Sequence, residues 1–304
     1  MGKKVAIIGC GRVGMALAYS LVTSNDLVSE LVLIDIAEEK VTAEYLDLAH
    51  AAERLNHKIT IKVNDYDECS DADVIALCFC AASGRATAKK DRRELGKANC
   101  EAVKNIVARI SKTGFKGIFL VATNPLDVIV QAVYKLSGFP AHRVIGSGAT
   151  LDTARLHHSL KIRGIPVDKQ SCYIFGEHGN SMMVPWSLDK NLQNLSSDKK
   201  TEILDEVRRA GYAIVTGKGY TNYGIGACLY DLVNAILSDK KIVDVVSFYC
   251  ELHDACYSRR AVIGKDGIVK EVPTDMNEED KNNLLASISA IRSCIEEIDE
   301  FGQL

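Results

Sequence analysis

Lys3-Lys4-Val5-Ala6-Ile7-Ile8-Gly9-Cys10-Gly11-Arg12-Val13-Gly14 runs from a short apolar segment straight into three glycines. The β-type run ends in a G-x-G-x-x-G pattern, and Val13, Leu17 and Leu21 then repeat at helical spacing. Gly9 permits a tight turn, Gly11 lets phosphates approach the backbone, and Gly14 lets the helix lie close on the strand. The helix start offers unpaired N–H groups and a partial positive charge, so Gly9, Gly11, Arg12, Val13 and Gly14 form a candidate anion cradle. Asp35 closes the next strand-like run, where a carboxylate can accept both hydroxyls of a ribose and repel a ribose phosphate. A glycine-rich turn in another α/β fold would satisfy the glycines alone. Strand, loop, helix and acid in this order point to a dinucleotide, NAD rather than NADP.

Working outward, Leu31–Ile34, Ile59–Val63, Val74–Cys80, Ile118–Ala122 and Arg143–Ile145 read as further strands. They are apolar on both faces, as a parallel sheet covered by helices requires. Alternating β and α elements imply right-handed crossovers and an α/β, doubly wound, Rossmann-type sheet. After about Gly146 the rhythm changes, so residues 1–145 form a candidate NAD-binding domain and 146–304 a candidate α+β substrate-binding lobe. In the second half, Leu151–Leu160 is helix-like, while Ser171–Phe175 and Ser181–Trp186 are strand-like. Ile203, Val207, Ala210 and Ile214 mark a long helix. Lys265-Asp266 between two apolar runs signals a hairpin. Leu284, Ile288, Ile291, Ile295 and Ile298 then step along a last helix behind an Asn277 cap.

The composition narrows the function classes. A net charge of -3 without a basic run excludes an electrostatic nucleic-acid binder. No apolar stretch is long enough to span a bilayer, and the N-terminal one is too short for a signal-peptide core, so a cytoplasmic location is expected. The ten cysteines form no C-x-x-C pair, so reduced thiols acting as small hydrophobes are expected, with no metal site. Cys10 is notable for its place inside the glycine loop.

Gly176-Glu177-His178-Gly179-Asn180 and Leu151-Asp152-Thr153-Ala154-Arg155 hold the remaining chemistry. A proton-transfer histidine needs a defined tautomer and a pKa near working pH, and a buried carboxylate supplies both. Asp152 can do this for His178 if its helix faces the turn. Arg155 lies on the same helix face, where a guanidinium can hold a carboxylate through two parallel hydrogen bonds. Taken singly, each residue has an ordinary reading: a structural histidine, or a surface Asp–Arg pair.

These segments resemble the L-lactate/L-malate dehydrogenase family, most closely its L-2-hydroxyisocaproate dehydrogenase-like branch. The matching stretches also include Thr123-Asn124-Pro125-Leu126-Asp127, Gly138–Gly146 and Gly217-Lys218-Gly219-Tyr220-Thr221-Asn222-Tyr223-Gly224. The resemblance implies that His178 donates a proton in reduction of a 2-oxo acid, that Asp152 holds it, and that Arg155 binds the substrate carboxylate. It implies that Asn124 contacts both the reacting oxygen and the cofactor, with a cis bond to Pro125. An arginine on a loop from Ala81 to about Asp91 should close over the substrate; Arg92 is the candidate, and Arg93 is adjacent. In the family the residue six positions earlier chooses the substrate, which lands on Ala86, although Arg85, Lys89 or Lys90 can present a cation nearby. Thr221 and Gly224 are expected beside the substrate side chain. Small residues at Ala86 and Gly224 would enlarge an apolar pocket, each extra buried methylene adding roughly 1 kcal/mol. The expectation is therefore a branched or larger substrate such as 2-oxoisocaproate, with pyruvate as the alternative and malate chemistry behind both. The family also implies a homodimer or homotetramer. A cofactor-sensing protein without catalysis would not need Asp152, Arg155 and His178 together.

Overall fold

The structure is a computed structural model that describes residues 2–24, 26–81 and 92–298. Strands β1 (Lys3–Ile8), β2 (Val28–Ile34), β3 (Thr60–Val63), β4 (Val74–Leu77), β5 (Ile118–Val121) and β6 (Val144–Gly146) pair in parallel. Their spatial order is β3-β2-β1-β4-β5-β6, so the chain reverses direction of growth between β1 and β4. That reversal opens the crevice in which doubly wound sheets bind ligands, at the carboxyl ends of the strands. Helices α1 (Arg12–Ser24), α2 (Glu38–Arg54), α3 (Arg92–Thr113) and α4 (Leu126–Ser137) make the crossovers.

Alternation along each strand builds the two cores. Val5 and Ile7 of β1, with Leu31, Leu33, Val74 and Leu120, face α1 and its neighbours. Ala6 and Ile8, with Val32, Ile75, Leu77 and Phe119, face the other side, where α3 and α4 pack.

The second half adds α5 (Thr150–Ile162), α6 (Ser197–Lys218), α7 (Tyr223–Leu237), β7 (Ile242–Cys250), β8 (Ala255–Gly264), β9 (Gly267–Glu271) and α8 (Glu278–Ile298). Its strands are antiparallel, and β7 joins the parallel sheet through Gly146 and Ser247, giving nine strands in one sheet among the described residues. The fold is thus a Rossmann-type α/β sheet with a C-terminal α/β lobe. The Lys265-Asp266 hairpin closes between Gly264 and Gly267. Asn277 caps α8, its side-chain oxygen accepting the Asp280 N–H at 2.8 Å. Ile288, Ile291, Ile295 and Ile298 of α8 are buried against the α3–α4 side of the first half.

Two expectations need correction. Ser171–Phe175 and Ser181–Trp186 are not strands; they meet at one isolated bridge, Phe175 with Met183, and Gly176 between them bridges to Ser258 of β8. Their apolar residues instead fill the core of the second lobe beside Leu156 and Leu160. β7 was not foreseen, because Asp244 and Ser247 interrupt its apolar run; Ser247 is fully buried and donates to Asp127.

Candidate active site

The glycine loop joins β1 to α1 as its residues dictate. Gly9 adopts φ +97°, and a Cβ there would lie 2.4 Å from the Phe79 backbone. A Cβ at Gly14 would lie 2.2 Å from the Gly9 carbonyl oxygen, so only glycine lets α1 start this close. Gly11 differs: a Cβ there would meet nothing within 4 Å, so its bare backbone faces open space. That is the surface a diphosphate needs, with the N-terminus of α1 behind it. Asp35 is anchored beside the loop, its carboxylate accepting the Cys10 N–H at 2.8 Å and the Ala37 N–H at 3.0 Å. Val13 packs partly buried on the core below, and the Arg12 guanidinium lies 4.3 Å from the centre of the Tyr220 ring. Cys10 is fully buried and its thiol is pushed up to about 12 by burial, so it serves the core and not the chemistry. These residues fit NAD.

His178, Asp152 and Arg155 converge as the spacing suggested. Asp152 is fully buried on α5. One of its oxygens lies 2.6 Å from His178 Nδ1, and the other accepts from Arg155 Nη1 at 2.9 Å. Burial would raise the Asp152 pKa, but the charges and hydrogen bonds of His178 and Arg155 hold it below the usual carboxylate range. An ionised acceptor fixes the tautomer: Nδ1 carries the proton, and Nε2 is left for the substrate. Burial pushes the imidazole toward its neutral form, while the Asp152 charge and hydrogen bond, with the Asp127 charge, outweigh it and raise the His178 pKa. A group so held can both give and retake a proton.

A cavity of about 240 Å³ lies beside His178, lined by Leu95, Asn124, Pro125, Asp127, Ile291 and Cys294 among others. The Asn124–Pro125 bond is cis. Asn99, almost fully buried on α3, accepts the Ala81 N–H at 2.7 Å and donates to the Asn124 carbonyl at 2.6 Å. It therefore ties the end of β4 to the Asn124 turn.

Thr221 and Gly224 are not among the residues lining this cavity. They sit where α6 turns into α7, and a Cβ on Gly224 would lie 2.8 Å from Leu151 Cδ1. Leu151 thus stands against the space that glycine leaves, while Gly224 itself is exposed. Leu151 lines a separate groove of about 280 Å³ between α5 and α6 with Arg155 and Val207. Arg92 and Arg93 open α3, but their side chains, together with Arg85, Ala86, Lys89 and Lys90, lie outside the described residues.

Sequence reasoning missed four contributors. Asp127, 3% exposed, accepts the His178 backbone N–H at 2.8 Å. Ser247 on β7 donates to the other Asp127 oxygen at 2.6 Å. Asn99 ties the end of β4 to the Asn124 turn. Gly211, inside α6, makes room for Arg155, since a Cβ there would lie 3.3 Å from the guanidinium. A glycine in a helix interior, costing about 1 kcal/mol in propensity, was the one available signal.

Among the described residues no cluster of His, Cys, Asp or Glu is arranged for a metal, and no helix is long and apolar enough to cross a membrane. Residues 3–146 match the NAD-binding domain of lactate/malate dehydrogenases, and residues 149–302 match their alpha/beta C-terminal domain. The L-lactate dehydrogenase of Halalkalibacterium halodurans is 36% identical over 302 residues, covering 96% of each chain. That of Borrelia turicatae is 34% identical, over 97% of this chain and 98% of the relative. Among solved structures, the minor L-lactate dehydrogenase of Enterococcus mundtii superposes with a TM-score of 0.89 at 30% identity, covering 98% of both chains. A lactate dehydrogenase from a Medee basin deep-sea metagenome gives 0.88 at 33%, over 98% of this chain and 99% of its own. The chain belongs to the lactate/malate dehydrogenase family and is an NAD-dependent 2-hydroxy-acid oxidoreductase.

Proposed function

We propose that this enzyme is an L-lactate dehydrogenase, interconverting pyruvate and L-lactate. Leu151 Cδ1 stands beside Gly224, within 2.8 Å of where a Cβ would lie, which favours a small substrate side chain over that of 2-oxoisocaproate. The choice is carried by the relatives described above, all lactate dehydrogenases by name, three of them L-lactate dehydrogenases.

In the reduction, Arg155 holds the substrate carboxylate with the donors that Asp152 leaves uncommitted. Asn124 donates toward the reacting oxygen, and Thr221 and Gly224 border the substrate's side chain with Leu151. His178 gives its Nε2 proton to that oxygen while Asp152 keeps the imidazole oriented. In the reverse direction the neutral imidazole takes the proton back. Bound NAD supplies or accepts the hydride, and Gly9, Gly11, Arg12, Val13, Gly14, Asp35 and Asn124 hold it. Arg92 completes the closed site by polarising the carbonyl, with Ala86 on the same loop. Residues 1–145 bind the cofactor and 146–304 the substrate. A cytoplasmic homodimer or homotetramer completes the reading.

The test is kcat/KM with NADH for pyruvate, 2-oxoisocaproate and oxaloacetate in parallel, with His178→Asn as the blank. Pyruvate ahead of both supports the proposal. Preference for 2-oxoisocaproate would restore the hydroxyisocaproate-type reading, and oxaloacetate in front would put a cation at the loop position counted as Ala86.

A further inference from the structure

We infer that Asp127 is a positioning residue for His178: its carboxylate clamps the backbone of the proton carrier and, through its charge, favours the protonated imidazole. The inference rests on the reading of His178 as that carrier.

The turn bearing His178 is pinned one residue at a time. Gly176 exchanges both backbone hydrogen bonds with Ser258 of β8, at 3.0 and 2.9 Å. The Glu177 N–H donates to Ser287 Oγ on α8 at 2.9 Å. The His178 N–H donates to Asp127 Oδ2 at 2.8 Å, and this contact alone uses a buried ionisable group. A neutral side chain or carbonyl would satisfy one N–H equally well. A carboxylate buried without a cation of its own is costly unless its charge does something there.

Among the described residues, the charged and titratable groups facing His178 are Asp152 and Arg155 from α5, Asp127 from α4, Glu177 in its own turn and Cys294 of α8 across the cavity. Cys256 of β8 faces Asp127 from behind. Asp152 divides its charge between His178 and Arg155. Asp127 has no such competitor, for its second oxygen is held by the neutral hydroxyl of Ser247. Burial lifts the Asp127 pKa to about 6, with the Ser247 and His178 hydrogen bonds pulling the other way. The clamp is therefore charged at neutral pH and loses its charge in mild acid. A protonated carboxyl there presents one donor too many, because both partners already donate.

The surroundings permit a clean substitution. In Asp127→Asn the side-chain oxygen can still accept the His178 N–H, and the new amide can donate to Ser247 Oγ. Ser247 then needs an acceptor for its own proton. Ser258, opposite it in the β7–β8 pairing and fully buried, carries a hydroxyl without a hydrogen-bond partner among the described residues. Directly opposed residues project to the same face, so the proton has somewhere to go.

The experiment is a pH titration of the imidazole by NMR on histidine-labelled enzyme, with the His178 resonance assigned from its loss in His178→Asn. It is run on the wild type, Asp127→Asn and Ser247→Ala, alongside pH profiles of pyruvate reduction. The expected result is a His178 midpoint lowered by roughly half to one unit in Asp127→Asn. The descending limb of reduction should move down with it, while the melting temperature changes little. Ser247→Ala should shift the midpoint the same way but less, because an Asp127 with one donor fewer protonates nearer neutrality. Asp127→Ala, which also removes the clamp, should lower kcat on the order of 10²-fold with a smaller change in KM. An unmoved midpoint and limb in Asp127→Asn would overturn the inference, leaving Asp127 a structural acid. Full activity in His178→Asn would instead remove the underlying reading of His178, and the titration of the other variants would still report on the clamp.

Discussion

The dinucleotide loop and the His178 turn are built on opposite plans. The loop works by the absence of side chains within one contiguous stretch, Gly9–Gly14, with Asp35 anchored to it from the end of β2. The His178 turn works by the presence of side chains drawn from far apart: Asp152 and Arg155 on α5, Asp127 on α4, Ser247 on β7. A loop of the first kind tolerates no added atom, whereas a turn of the second kind tolerates added atoms but no lost partner. Substitutions should therefore fail differently in the two places.

The largest effect is expected from Asp152→Asn. The asparagine keeps the shape but neither fixes the Nδ1–H tautomer nor balances the imidazolium, and the analogous loss in serine proteases costs about 10⁴-fold in kcat. A loss on the order of 10³-fold or more in pyruvate reduction is expected here, at nearly unchanged NADH affinity. The sign with pH follows from the raised His178 pKa. Reduction needs the protonated imidazole, so it is present below that pKa and lost as pH rises through it. Without Asp152, burial and the Arg155 charge would be opposed by the Asp127 charge alone among the groups named above, and any residual activity should disappear at lower pH than in the wild type. Residual activity extending to higher pH would show that Asp152 does not support the imidazolium.

Next in size is a pair within the loop. Gly14→Ala puts a carbon 2.2 Å from the Gly9 carbonyl, so β1 and α1 must separate. It should cost roughly 1–3 kcal/mol in stability, a few degrees in melting temperature, as well as weaken NADH binding. Gly11→Ala meets no protein atom. It should leave the melting temperature within about a degree and weaken NADH on the order of tenfold, equivalent to about 1.4 kcal/mol. Thermal melts with and without NADH separate the two. Equal destabilisation of the apoenzyme by both would mean that Gly11 serves packing, and the loop would then resemble the turn more than its opposite.

The same contrast explains what was legible beforehand. Glycines and an acid at fixed offsets report a backbone shape, and backbone shape is local, so the parallel strands and the cradle could be read from residues 3–35. Asp152 and Arg155 were readable because they share a helix face three residues apart. Asp127 and Ser247 act across 51 and 120 positions of chain from their partners, and no periodicity links them. β7 escaped for the same reason: its inward Ser247 serves the site, so it breaks the apolar pattern that would have marked a strand. The enlarged pocket read from Gly224 raises a different point. A missing methyl says only that a neighbour has room, and Leu151, 73 positions away in sequence, was free to take it.

Gly224→Ala is the smallest effect and the one that tests this last point. The added methyl would press on Leu151 Cδ1, the end of a flexible side chain that can turn aside, so stability should change by about 1 kcal/mol or less. If Leu151 already closes this wall, the methyl takes nothing from the substrate. The ratio of kcat/KM for pyruvate to that for 2-oxoisocaproate should then change less than about threefold, under roughly 0.7 kcal/mol in transition-state discrimination. A selective tenfold loss with 2-oxoisocaproate would mean that the substrate's branch reaches Gly224 after all. In that case Leu151 would yield to the ligand, and the wall would behave like the His178 turn, shaped by what enters it, and not like the glycine loop.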